Sequence, residues 1–328
     1  MKALVSKFTS QLEEALSIGK EAKLTSCNKD IRNVVITGLG GSGIGGTIVS
    51  QLVANEIAIP VIINKDYHLP NFVNENTLVI ASSFSGNTEE TLAALKIAQE
   101  KGAEIACITS GGKMLEIAIS NKYNHIVLPT ERSPRAMLSY SLTQQFFLLT
   151  HYNLIGNSFI EKTQKAIELL NSEIGNIKTE AKNIADSILN KTPVIYSEAN
   201  FEGVAIRFRQ QLNENAKILC WHHALPEMNH NELVGWAGGD DEKAVIVFRN
   251  ETDYSRTQTR MNIQKSVIVK YTSTYIECYS KGNSDIERAL YFILLGDWVS
   301  VYLSDLRNVD NIEVKVIDYL KSELAKDI

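Results

Sequence analysis

No run of lysines or arginines interrupts this chain, and its formal charge is −5. It therefore lacks the basic surface by which nucleic acid or an anionic membrane is held. An anionic ligand has to be gripped by a few local groups, not by a general field. No two of the four cysteines, Cys27, Cys107, Cys220 and Cys278, stand at C-x-x-C spacing. Neither a disulfide framework nor a cysteine-based zinc site is expected, and free thiols in a reducing cytoplasm are. No signal peptide is expected either. Leu4, Phe8, Leu12 and Leu16 recur at helical spacing with Glu13 and Glu14 among them, which predicts an amphipathic helix over Met1 to Gly19. The most apolar run, Ala289 to Leu303, is too short to span a bilayer and contains Asp297. It reads as a buried core helix. What remains is a soluble globular protein of 328 residues, 44% apolar and 22% charged, long enough for two domains.

What the chain does have is glycine concentrated in one place. The apolar run Val34 to Ile36 breaks into Thr37-Gly38-Leu39-Gly40-Gly41-Ser42-Gly43-Ile44-Gly45-Gly46-Thr47. Such a backbone is open to close approach, and amides at the start of a following helix, expected over Gly45 to Ala54, hold an anion without a lysine. The spacing Gly38-x-Gly40-x-x-Gly43, with Asp66 near the end of the next apolar run, also satisfies the dinucleotide fingerprint. A nicotinamide-dependent dehydrogenase is therefore the rival reading at this point.

A second loop shifts the balance. The apolar run Thr77 to Ala81 leads into Ser82-Ser83-Phe84-Ser85-Gly86-Asn87-Thr88 and then a helix over Glu89 to Glu100, for which Asn87 and Glu90 form an expected capping box. A polar helix cap accounts for one or two hydroxyls, not for this many. Short neutral donors converging from two strand ends suit a phosphate monoester. Further strands are expected over Ile105 to Ile108 and Ile126 to Leu128. Residues 139–190 are expected to be mostly helical. A second α/β half follows, with strands at Val194 to Tyr196, Ala244 to Phe248, Val267 to Tyr271 and Tyr275 to Tyr279, and helices over Gly203 to Gln211 and from Asp285. A tail helix over Val314 to Leu324 carries Ile317, Leu320 and Leu324 on one face and is expected to pack on something.

Gly40-Gly41-Ser42-Gly43 together with Ser83 to Thr91 resembles the signature of sugar isomerase domains. Ser133-Pro134-Arg135-Ala136, Leu212 to Lys217, Pro226 to Glu232 and Ile317 to Lys321 narrow the resemblance to the bifunctional phosphoglucose/phosphomannose isomerase family, over nearly the whole chain. The resemblance implies two α/β sugar-isomerase domains, each a mainly parallel sheet flanked by helices, over 1–152 and 153–328. It implies an aldose–ketose isomerase acting on hexose 6-phosphates through an enediolate. Gly41, Ser42, Ser83, Ser85 and Thr88 would hold the phosphate. Glu214 would move the proton, Arg135 stabilise the enediolate, and His230 and Lys321 open the ring, with His230 reaching in from the neighbouring subunit of a homodimer.

On composition alone Glu214 is a solvated acid at a helix end, Lys321 an exposed lysine and Arg135 a surface arginine. A protein that only senses a sugar phosphate needs the loops and none of Glu214, His230 and Lys321. His222, His223, Glu227, His230 and Glu232 fall close together, but Pro226 separates His223 from Glu227 and no H-x-x-x-H pattern follows. Neither a metal nor a cofactor is expected.

Overall fold

The computed structural model describes residues 1–130 and 133–326, so the last two residues of the second expected domain lie outside the described residues. The N-terminal half runs α1 (Lys2–Val5), α2 (Phe8–Glu21), β1 (Asn33–Thr37), α3 (Gly40–Leu52), β2 (Val61–Asn64), β3 (Thr77–Ser82), α4 (Glu89–Glu100), β4 (Glu104–Thr109), α5 (Gly112–Asn121), β5 (Asn124–Val127) and α6 (Leu138–His151). The long α7 (Ser158–Ile188) leads to β6 (Thr192–Glu198), α8 (Glu202–Ala216), β7 (Trp221–Leu225), α9 (Glu232–Gly235) and β8 (Lys243–Arg249). The chain ends with α10 (Ser255–Ile268), β9 (Tyr275–Tyr279), α11 (Asp285–Leu306) and α12 (Lys315–Leu324).

Both sheets are parallel throughout, in the orders β2-β1-β3-β4-β5 and β7-β6-β8-β9. The second repeats the first four positions of the first, although the sequences show no repeat. The chain steps from β1 to β2 on one side and then crosses back to β3 on the other. That reversal opens a crevice at the carboxyl ends of β1 and β3, where parallel α/β sheets bind ligands.

Successive strand residues point to opposite faces, and the core follows that alternation. Val35, Val79 and Ile105 face α4 and α5, whereas Val34, Ile36, Leu78 and Ile80 face a central layer of helices. Ile195, Ile246 and Phe248 of the second sheet close the same layer from the other side, and Val194, Val245 and Val247 face α10. One continuous apolar core thus joins both halves through α2, α3, α6, α7, α8 and α11. Helix α11 is long and apolar enough to cross a membrane, longer than the sequence suggests, but 83% of its most apolar window is buried inside the protein. It is the core helix expected, and Asp297 is buried with it.

Several local expectations fail for identifiable reasons. Helix α3 starts at Gly40, not Gly45, so the glycines build its first two turns. They are there for close packing as well as for access. A Cβ on Gly43 would lie 2.2 Å from the Gly38 carbonyl oxygen, and one on Gly46 would lie 2.8 Å from Ile36 Cγ2. Asn87 does not cap α4. Thr88 occupies that position, and Asn87 Oδ1 instead accepts from the Lys113 amide at 3.0 Å, tying the β3 turn to α5. Val267 to Tyr271 is no strand but the end of α10 and the turn after it. The tail helix α12 buries nothing within the chain, and Leu320 stays 56% exposed.

Candidate active site

The crevice between β1 and β3 is lined by hydroxyls that fix one another. The Phe84 amide donates to Ser42 Oγ at 3.2 Å, linking the turn after β3 to the first turn of α3. Ser83 Oγ and Thr88 Oγ1 share a hydrogen bond of 2.8 Å, and Ser83 Oγ also accepts from the Gly86 amide at 3.1 Å. Ser85 is exposed at the mouth, its Oγ accepting from the Asn87 amide at 3.3 Å. Behind them the first-turn amides of α4 lie beyond the helix's own hydrogen-bonding pattern and carry the positive end of its dipole. The turn is held by close backbone approach. Gly86 has φ +68°, and a Cβ there would meet the Gly111 carbonyl oxygen at 1.8 Å.

The turn that carries Arg135, in the same half, reaches this cradle beside Gly41. The open face of Gly41 lies against that turn, and an ideal Cβ position there stands 3.5 Å from the Pro134 carbonyl oxygen. Arg135 sits in a single 3-10 turn, Pro134–Ala136, and is buried. Its guanidinium is fully engaged. Nε donates to Asn215 Oδ1 at 2.7 Å, Nη2 donates to the Asn311 and Ile312 carbonyls at 2.6 and 3.1 Å, and Nη1 lies 3.6 Å from Glu214 Oε2. Burial lowers the Arg135 pKa, with the Glu214 charge opposing, and a guanidinium remains charged regardless.

Glu214 and Asn215 come from the last turn of α8, whose end is closed by Lys217 in the left-handed conformation. Lys217 Nζ donates to the Glu214 carbonyl at 2.7 Å and to the Glu313 carbonyl at 2.6 Å. An ammonium bonding carbonyls at a helix C-terminus complements the dipole there. The Glu214 carboxylate, partly exposed, therefore stands beside a fixed cation at the edge of the hydroxyl cradle. This pairs a base with an electrostatic partner for developing negative charge.

Two family models match separate stretches of the chain. Residues 29–152 match the model of the SIS domain, and residues 177–324 match that of the bacterial phospho-glucose isomerase C-terminal SIS domain. The chain is 40% identical to the bifunctional phosphoglucose/phosphomannose isomerase of Caldicellulosiruptor bescii, over 96% of each chain. It belongs to the bifunctional phosphoglucose/phosphomannose isomerase family. The namesake enzyme of Aquifex aeolicus is 35% identical over 90% of this chain and 91% of its own. The fold is shared more widely. The C-terminal domain of glucosamine-fructose-6-phosphate aminotransferase from Francisella tularensis superposes with a TM-score of 0.76 at 15% identity, covering 94% of this chain and 98% of that domain.

For a member of this family, the structure brings together Gly41, Ser42, Ser83, Ser85, Thr88, Arg135 and Glu214, but leaves His230 and Lys321 apart. His230 ends a 3-10 turn, Glu227–His230, and is exposed, as is Lys321 on α12. Neither side chain makes a hydrogen bond or ion pair among the described residues. His223 Nδ1 pairs with Glu232 Oε2 at 2.7 Å. Among the described residues no three His, Cys, Asp or Glu side chains are grouped to hold a metal ion. Sequence reasoning missed Asn215, Lys217 and the carbonyls of residues 311–313. Backbone acceptors leave no trace in side-chain identity, although Asn215 and Lys217 stand within the Leu212 to Lys217 motif.

Proposed function

We propose that this chain interconverts glucose 6-phosphate, and mannose 6-phosphate, with fructose 6-phosphate. The observation that carries this reading is the Arg135–Glu214 pair, 3.6 Å apart, on the α3 side of the hydroxyl cradle. The phosphate rests on the Gly41 backbone and on Ser42, Ser83, Ser85 and Thr88, with the α4 amides beneath it. Glu214 takes the C2 proton of the open-chain aldose, and the enediolate charge gathers on oxygens facing Arg135. Return of that proton to C1, with the hydroxyl proton moving from O2 to O1, gives the ketose. The chemistry asks for a base and a fixed cation, so it proceeds without a metal or a redox cofactor.

His230 and Lys321 open the ring. The exposure of His230 supports its entry into the site of a second copy in a homodimer, and the uncovered apolar face of α12 supports assembly. The working unit is two domains, 1–152 and 153–328, acting in the cytoplasm. A coupled assay with each aldose 6-phosphate in the presence of a chelator tests substrate, reaction and metal independence together. Fructose 6-phosphate is expected from both, and no turnover of either would overturn the reading.

A further inference from the structure

Helices α8 and α11 each send one small polar side chain, Asn215 and Ser300, into a buried line that ends on Arg135. Arg135 Nε donates to Asn215 Oδ1 at 2.7 Å, Asn215 Nδ2 donates to Ser300 Oγ at 2.9 Å, and Ser300 Oγ donates to the Asp297 carbonyl at 2.7 Å. The direction of this line is forced from both ends. A guanidinium only donates, so Arg135 requires the oxygen of the Asn215 amide. The Ser300 hydroxyl has one hydrogen and a carbonyl takes it, so it offers Asn215 a lone pair. A single orientation of the amide serves both neighbours.

The acceptors that hold the guanidinium are all neutral: the Asn215 amide on Nε and the carbonyls of residues 311 and 312 on Nη2. Nη1 remains, and its contact is the Glu214 carboxylate at 3.6 Å. Charges of Glu214, Asp310 and Glu313 act on Arg135 from outside these bonds, and that of Arg207 opposes them. A carboxylate in the place of the Asn215 amide would form a close ion pair with Nε and offset the positive charge that an enediolate needs. An amide of the same shape fixes the planar fork and leaves that charge in place.

We propose that Asn215, oriented by Ser300, is a positioning residue for the isomerisation: it turns the Arg135 guanidinium so that Nη1 faces the reacting oxygens beside Glu214, and it does so without neutralising it. This rests on the role of Arg135 proposed above. Asn215 and Ser300 are both enclosed, so they act through Arg135 and do not meet the substrate.

Steady-state kinetics of the full chain with glucose 6-phosphate test this. The hydroxyl cradle holds the phosphate in substrate and transition state alike, so a group that acts only on Arg135 shows in kcat and not in KM. Asn215→Asp keeps the shape and the acceptor but adds a charge. It is expected to lower kcat by about tenfold or more and to change KM by less than about threefold. Asn215→Ala is expected to lower kcat as well, but to cost nothing further in an Arg135→Met background, as groups acting through one another do. Ser300→Ala, which removes a single hydroxyl, takes its place in the same cycle where Asn215→Ala does not fold. Wild-type kcat in Asn215→Asp overturns the proposal. Losses that add to an impaired Arg135→Met also overturn it, and leave Arg135 in its role. Wild-type kcat in Arg135→Met removes that role and this proposal together.

Discussion

Arg207 donates from Nη2 to the carbonyl oxygen of Arg135 at 2.6 Å. The same nitrogen lies 3.1 Å from both carboxylate oxygens of Asp297 on α11. Arg207 and Asp297 are both buried. The backbone of Arg135 is thus set by an ion pair inside the helical layer, and its side chain by Asn215 and the carbonyls of residues 311 and 312. Removing one partner of a buried pair strands the other charge, at a cost of about 3–5 kcal/mol. Asp297→Ala is expected to lower the unfolding free energy, read from denaturant titration, by that amount. Unchanged stability would mean that Arg207 finds another partner.

Glu214 should behave differently, because its carboxylate is partly exposed and meets Arg135 only at 3.6 Å. Glu214→Gln is expected to lower kcat by about 10²- to 10⁴-fold, the range for losing a general base, with a small change in KM. Near-normal turnover in steady-state assays would remove Glu214 from the role of base.

The legibility of this chain followed burial. Strands β1, β3, β4 and β8 are covered on both faces and announce themselves as apolar runs, as central parallel strands do. Edge strand β7 does not, because its Trp221, His222 and His223 are exposed or half-buried. Helix α10 was hidden for a related reason. Its buried line is Thr257, Met261, Gln264 and Ile268, two of them polar, so the helical period is present in burial but not in hydrophobicity. Within the site, loop hydroxyls and family motifs were legible, whereas the carbonyls that fix Arg135 and Lys217 were not.

Ser85 offers a test of the cradle that leaves the fold alone, since its hydroxyl is exposed and accepts one long hydrogen bond from within its own turn. A hydrogen bond to a charged group is worth about 1.5–3 kcal/mol. Ser85→Ala is therefore expected to raise KM for the sugar phosphate by roughly 10- to 100-fold while changing kcat little. Equal KM values for variant and wild type would place the phosphate elsewhere.

Two glycines predict opposite signs of stability change. Gly175, inside α7, has nothing within 4 Å of an added Cβ. Gly175→Ala is expected to stabilise by about 0.5–1 kcal/mol through helix propensity. Gly86→Ala combines a positive φ with a Cβ 1.8 Å from the Gly111 oxygen and should destabilise by several-fold more than that gain. Thermal unfolding of both variants checks the pair. A stable Gly86→Ala protein would show that the turn after β3 can be rebuilt.

At the ends of β6 and β8 the second sheet carries a buried pair of acids, Glu198 and Asp253. Glu198 Oε1 accepts from the Tyr254 amide at 2.9 Å, and Asp253 accepts from the amide and side chain of Asn250, each at 2.9 Å. Burial foremost, with the Glu198 charge, raises the Asp253 pKa from 3.8 to about 6, against those hydrogen bonds. The native state then holds this proton more tightly than the unfolded chain does. The stabilising contribution is complete below the unfolded value of 3.8 and is lost as pH rises through about 6. Its size is at most on the order of 3 kcal/mol. In Asp253→Asn the titrating group is gone, while the lost acceptor adds an offset independent of pH. Urea unfolding of both proteins between pH 4 and pH 8 should therefore show the stability of wild type falling relative to the variant up to about pH 6 and levelling above it. A difference that stays constant across that range would mean that folding does not shift Asp253.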